Sequence, residues 1–268
     1  MEFLTILLTI IVSLGASGGL ILDQILANLI ETRTENVEEL QVRVENTPSY
    51  EIIQGKAEKI RIASRGLEPI KDFRIEVLEL ETDPLSLNLD TIKTGNKKFR
   101  EALKKPLQGG IRLVLTEEDL NQAINSKNIQ AKIQKLISDS DQPDFEIINC
   151  RLNLLANNRL AIETEVKLLR LDREDILNIT LNVGLKLVQG HKIEIIEPQG
   201  TLNGRKLSSK LLQGFADNIN QRLDFHSLED SGILIRLLQL EITDQTINVA
   251  AFLRIAANSQ LNSLKDQS

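Results

Sequence analysis

From about residue 37 onward, most of this chain alternates apolar and polar residues one by one. LQVRVEN, EKIRIASRG, DFRIEVLELETD, LSLNLD and GIRLVL do so in the first half. FEIINCRLNLL, NRLAIETEVKLLR, DILNITLNVGLKLV and HKIEIIEP follow, and ILIRLLQLEITDQTINVAAFLRIAA closes the pattern. A period of two sends successive side chains to opposite sides of an extended backbone. Each run therefore reads as an antiparallel strand with one face to bury and one face in water. Asn157-Asn158 and Gln189-Gly190 stand between neighbouring runs where hairpin turns are needed, and Asp244-Gln245 marks a third.

Three stretches break the alternation with helical spacing. LILDQILANLIETRTENVEEL repeats apolar residues at Leu22, Ile25, Leu26, Leu29 and Ile30. TEEDLNQAINS offers Thr116 as N-cap with Asp119 in the capping-box position, and NIQAKIQKLIS follows at once. NGRKLSSKLLQGFADNINQRLDF sets Leu207, Leu211, Leu212, Phe215, Ile219 and Leu223 along one side. The order is helix, strands, two short helices, strands, long helix, hairpin. No low-complexity linker divides it, so the expectation is one α+β unit with long antiparallel strands packed on helices. The expected division is an apolar N-terminal segment over 1–22, one domain over 23–258 and a frayed tail over 259–268.

Composition narrows the partners. The net charge is −6 and aromatics are 3%, with no Trp. Duplex binders carry basic domains and single-strand binders need stacking rings, so no nucleic-acid partner is expected. The apolar mass is aliphatic, which suits a β-rich interior. Cys150 is alone, so no intrachain disulfide exists, and its place among alternating apolar residues reads as a buried inert thiol.

The opening FLTILLTIIVSLGASGGLIL carries no charge over residues 3–22. At about 1.5 Å per residue, a helix of that length reaches roughly 30 Å, enough for a bilayer core. The n-region holds Glu2 and no Lys or Arg, which is poor for an export signal, although Ala16-Ser17-Gly18 is a passable cleavage site. The segment is read as exporting or anchoring the chain, with a helix inside the domain as the alternative. The expected location is membrane-associated, either exported to the periplasmic side or anchored.

Catalytic and metal-binding patterns are absent. The two histidines, His191 and His226, lie at a turn and past a helix end, without ligand spacing. There is no GxSxG elbow and no Walker loop. Glu76, Glu79 and Glu81 alternate with apolar residues and read as a wet strand face. No catalytic residue, metal or cofactor is expected.

Two features point toward lipid. KTGNKKFREALKKP gathers Lys93, Lys97, Lys98, Arg100, Lys104 and Lys105 around Phe99. A solvated loop explains it, and so does contact with anionic headgroups, where each basic residue contributes about 1 kcal/mol. Leu177, Ile179, Leu181, Val183, Leu185 and Leu187 form a continuous apolar face on one strand. Leu160, Ile162 and Val166 form another, and Leu152 and Leu154 share a face with Cys150. Such faces can fill a core or line an aliphatic tunnel for acyl chains.

VRVENTPSYEIIQGKAEKIRIASRGL, LELETDPLSLNLDTI and PLQGGIRLVLTEEDLNQAI resemble the LmeA-like phospholipid-binding family, and its cyanobacterial type most closely. Glu81-Thr82-Asp83-Pro84 and Leu115-Thr116-Glu117-Glu118-Asp119-Leu120-Asn121 are the most specific pieces. The resemblance implies a tubular lipid-binding fold, with a long curved antiparallel sheet wrapped on a long helix. It implies phospholipid binding and, in actinobacteria, a part in envelope glycolipid maturation. The resulting expectation is a non-enzymatic protein whose partners are a phospholipid or glycolipid and a membrane surface. It would serve lipid transfer or envelope maintenance. The alternative is an anchored scaffold with a filled core that binds another envelope protein.

Overall fold

The computed structural model describes residues 27, 30–31, 34–45, 54–88, 99–137, 145–169 and 176–257, with only the backbone at 99, 100, 132 and 134–137. Of the opening segment and the stretch read as a helix after it, Ala27, Ile30, Glu31 and residues 34–40 are described. Ala27, Ile30 and Glu31 are helical, with Ile30 buried in the larger core, whereas 34–40 are not helical and Glu39 and Leu40 already begin a strand. The strands are β1 (Glu39–Glu45), β2 (Lys56–Ala57), β3 (Lys59–Ile70), β4 (Phe73–Thr82), β5 (Leu85–Ser86), β6 (Leu107–Thr116), β7 (Phe145–Leu155), β8 (Arg159–Leu168), β9 (Ile176–Val188), β10 (Lys192–Leu202), β11 (Arg205–Lys206), β12 (Ile233–Ile242) and β13 (Thr246–Ile255). The helices are α1 (Phe99–Ala102), α2 (Glu117–Asn125), α3 (Lys127–Ile137) and α4 (Ser209–Arg222), with a 3-10 helix over Phe225–Ser231.

The fold is α+β and dominated by antiparallel sheet. The strands divide between a six-stranded sheet ordered β1-β3-β4-β6-β13-β12 and a five-stranded sheet ordered β11-β10-β9-β8-β7, plus the ribbon β2-β5. Neither large sheet closes on itself. Alternation decides the faces of the six-stranded sheet. Val42, Ile62, Leu80, Ile111, Ala251 and Leu237 lie in register across all six strands on one face. Gln41, Ala63, Glu79, Arg112, Ala250 and Gln239 form the matching row on the other. The first face packs into a core centred on Ile60, Ile75, Leu78 and Ile255, each fully buried. The second is a lattice of ion pairs: Lys59–Glu81 at 2.6 Å, Arg61–Glu81 at 2.7 Å and Arg112–Glu79 at 3.1 Å. At Leu237/Gln239 the register slips, and the extra residue, Leu238, points into solvent.

The hairpin turns of the five-stranded sheet meet the edge of the six-stranded one. Asn157, Asn158, Gln189 and Gly190 have φ of 63°, 56°, 50° and 71°, the left-handed values that tight hairpins need. Leu237 N–H donates to Gly190 O at 2.6 Å. Ile242 N–H donates to Asn158 Oδ1 at 2.7 Å, so the turns satisfy groups that edge strand β12 would leave bare.

Helix α2 ties the same two sheets. Thr116 caps it by accepting from Asp119 N–H at 3.1 Å. Asp119 is buried and accepts from Arg74 of β4 at 2.9 Å. Glu117, Asn121 and Asn125 stand four residues apart, on one helical face. They lie along the open edge of β7. Glu117 accepts from Leu154 N–H at 2.7 Å. Asn121 accepts from Leu152 N–H at 2.8 Å and donates to Leu152 O at 2.7 Å. Asn125 serves Cys150 in the same way, at 3.0 and 2.7 Å. Three side chains thus replace a neighbouring strand.

Candidate functional site

The register of the five-stranded sheet gathers the aliphatic positions singled out in the sequence on one face. Leu154, Leu160 and Val183 share a row, and Leu152, Ile162, Leu181 and Gly200 share the next. Ile179 faces Thr164 and Leu202, and Val166 faces Leu177. Leu185 and Leu187 continue the face toward the turn, opposite Ile195 and Ile193.

Helix α4 lies along β10 and covers part of this face. It begins beside Gly200, where Leu207 N–H donates to Gly200 O at 3.0 Å. It ends beside Ile193, whose N–H donates to Leu223 O at 3.2 Å. Asn220 Oδ1 accepts from Ile195 N–H at 2.7 Å, another side chain closing a strand edge. Gly200 is required for the approach. A Cβ there would stand 2.7 Å from Thr180 O and 2.8 Å from Leu181 Cδ2, with Leu212 Cδ2 at 3.3 Å.

The face has two unequal halves. Toward the hairpin turns, Leu152, Leu154, Leu160 and Val183 are buried in a second core with Ile195, Ala216 and Ile242, and Ile162 and Leu185 pack against it. Toward the opposite end, Leu177, Ile179 and Leu181 are half-buried and lie outside that core, while Val166 is buried beside them. Leu187 is half-buried at the turn end. At about 3.4 Å per residue, the stripe from Leu177 to Leu181 runs roughly 14 Å.

The basic segment is only partly in view. Lys93, Lys97 and Lys98 lie outside the described residues, and Phe99 and Arg100 are seen as backbone of α1. Lys104 and Lys105 are exposed, just after the buried Ala102 and Leu103 and beside β5, where Lys104 N–H donates to Ser86 O at 2.9 Å.

An open groove of about 1020 Å³ crosses the six-stranded sheet, and none of the positions above lines it. Arg43, Arg61 and Arg112 on its walls are each paired with a glutamate, so it offers a ligand no uncommitted cation among the described residues.

No cluster of three or more His, Cys, Asp or Glu among the described residues is arranged to hold a metal ion. His191 and His226 come together with ring centroids 5.6 Å apart, which their spacing in sequence did not signal. His191 Nδ1 meets Asp224 Oδ1 at 3.0 Å, and the same carboxylate accepts from His226 N–H at 2.9 Å to cap the 3-10 helix. This pair braces the β9–β10 turn against the start of the 3-10 helix. Cys150 is half-buried rather than buried, and desolvation pushes its thiol up, away from the reactive thiolate.

Among the described residues no helix is long and apolar enough to cross a membrane, and the opening apolar segment lies outside them. A family profile described as LmeA-like phospholipid-binding matches residues 16–252. No curated protein matches the chain.

Proposed function

Since the chain belongs to the LmeA-like phospholipid-binding family, we propose that it holds the acyl portion of a phospholipid or glycolipid against the five-stranded sheet. The observation that carries this is the stripe Leu177–Ile179–Leu181, aliphatic and half-buried, continuing a face whose other half is filled by protein. Each methylene moved from water onto such a surface contributes about 0.8 kcal/mol. A bilayer offers nearly the same, so the stripe suits a protein that exchanges lipid with a membrane.

In this reading the neighbouring Leu152, Leu154, Leu160, Ile162, Val166, Val183, Leu185 and Leu187 extend and support the lipid face. Lys104 and Lys105, with the rest of the 93–105 segment, meet headgroups. The opening apolar segment serves export or anchoring, the sheets and helices form a tubular lipid carrier, and the role is transfer or envelope maintenance without catalysis.

The filled half, where Ala216 and Ile242 occupy the face, favours the second reading: an envelope scaffold that binds a protein partner. The doubly substituted Ile179→Asp/Leu181→Asp chain separates the two. Lipid extracted from it should fall to background while a Glu79→Gln control, on the outer face of the other sheet, retains lipid. Equal lipid in both would remove the stripe from the lipid face.

A further inference from the structure

At the end of the five-stranded sheet away from the hairpin turns, alternation fails on three neighbouring strands at once. Ile147-Ile148 on β7, Leu168-Leu169 at the end of β8 and Ile176-Leu177 on β9 are adjacent aliphatic pairs. Register brings them together, with Ile147 beside Val166, Val166 beside Leu177 and Lys167 beside Ile176. One member of each pair continues the half-buried inner stripe. The other emerges outside it: Ile148 is 46% exposed, Leu169 50% and Ile176 49%. The inner side of the sheet end is therefore aliphatic, and aliphatic side chains also protrude on its outer side, where Ile176 shares a row with Lys167 and Glu146. A protein partner seated on one face would leave the other wet. A hydrocarbon medium entered end-on covers both.

The charge at this end fits such a medium with an anionic surface. β10 returns here, and β11 and the first turn of α4 follow it. Arg205, Lys206 and Lys210 are all exposed, and among the described residues none has an ion-pair partner. In the same turn Leu211 is 65% exposed. Cations beside protruding aliphatics match phospholipid phosphate lying over acyl chains.

We infer that this end of the sheet is a membrane-docking surface for anionic phospholipid bilayers. It sets the mouth of the inner stripe at the acyl layer. The inference rests on the lipid-holding reading for its purpose, but the docking surface stands on its own observations.

The chain contains no Trp, so a single substitution reports locally whatever the opening segment does. The full chain carrying Ile176→Trp, and separately Leu169→Trp, is mixed with phosphatidylglycerol vesicles bearing brominated acyl chains. Leu238→Trp, on the exposed bulge of β12, is the control. The expected result is blue-shifted, bromine-quenched emission at 176 and 169 and unchanged emission at 238. Replacing Arg205, Lys206 and Lys210 with Gln should weaken the vesicle titration about tenfold to a hundredfold. Replacing Lys104 and Lys105 should do less. Unquenched emission at 176 and 169, or equal quenching at 238, overturns the proposal. Quenching at the tip in a chain that retains no extractable lipid would leave docking intact and remove the carrier reading. Retained lipid with an unquenched tip would do the reverse.

Discussion

The six-stranded and five-stranded sheets are written in the same alternating pattern and end differently. In the first, the apolar face is closed: Ile60, Leu78 and Ile255 are fully buried, and the polar face neutralises itself in ion pairs. In the second, α4 and the end of β12 fill only the half nearest the turns, and aliphatics run on to an exposed tip. One sheet spends its apolar surface on folding. The other keeps a reserve that water covers only at a cost, and that reserve is where we propose that a lipid binds.

The largest expected effect contrasts the two directly. Ile255→Ala removes a side chain with no exposed surface and should cost about 2–5 kcal/mol in urea unfolding. Ile179→Ala, on the half-open stripe, should cost about 1 kcal/mol and lower lipid retention. Similar losses of stability at both positions would mean that the stripe is ordinary core.

A smaller effect tests how the five-stranded sheet is edged. Asn121→Ala leaves both backbone groups of Leu152 without their partner, which should cost about 1–3 kcal/mol. Amide exchange at Leu152 should quicken while that of the six-stranded core stays slow. Uniform quickening would mean that α2 holds the whole molecule together rather than one edge.

The smallest effect lies on the charged face. Lys59 first, and then Arg61, donate to Glu81 and hold its carboxyl below the usual value of 4.5. A depressed carboxylate adds stability above its unfolded value, and that stability is lost as pH falls through the folded value. Wild type should therefore exceed Glu81→Gln in thermal stability at neutral pH and converge with it in acid. The gap is small because both partners are solvated. A gap that widened in acid would contradict the pairing.

Much of this was legible because alternation reports faces. The turns at 157–158 and 189–190 and the shared face of Leu152, Leu160 and Leu181 follow from period and turn residues alone. Adjoining apolar residues do not report a bulge by themselves: Leu237-Leu238 coincides with one, whereas Val77-Leu78 stays in register. What periodicity leaves open is what covers a face. It did not divide the strands into two sheets, because strand order depends on which edges meet. Asn121 and Asn158 decide those meetings through side-chain bonds to distant backbone, and an asparagine on a helix or in a turn looks ordinary in sequence. The register shift at Ile147/Asn149 is not legible for another reason: Ile148 has the parity of Leu152 and Leu154, yet the bulge turns it out of their face.

Native mass spectrometry of the full chain, purified gently from a membrane-containing bacterial lysate with lipid extraction alongside, decides whether the five-stranded sheet carries lipid. The proposed lipid face predicts a bound mass equal to one phospholipid or glycolipid, exchangeable on incubation with phospholipid vesicles. A bare chain mass, with no lipid taken up from those vesicles, would contradict it and leave the half-open face to a protein partner.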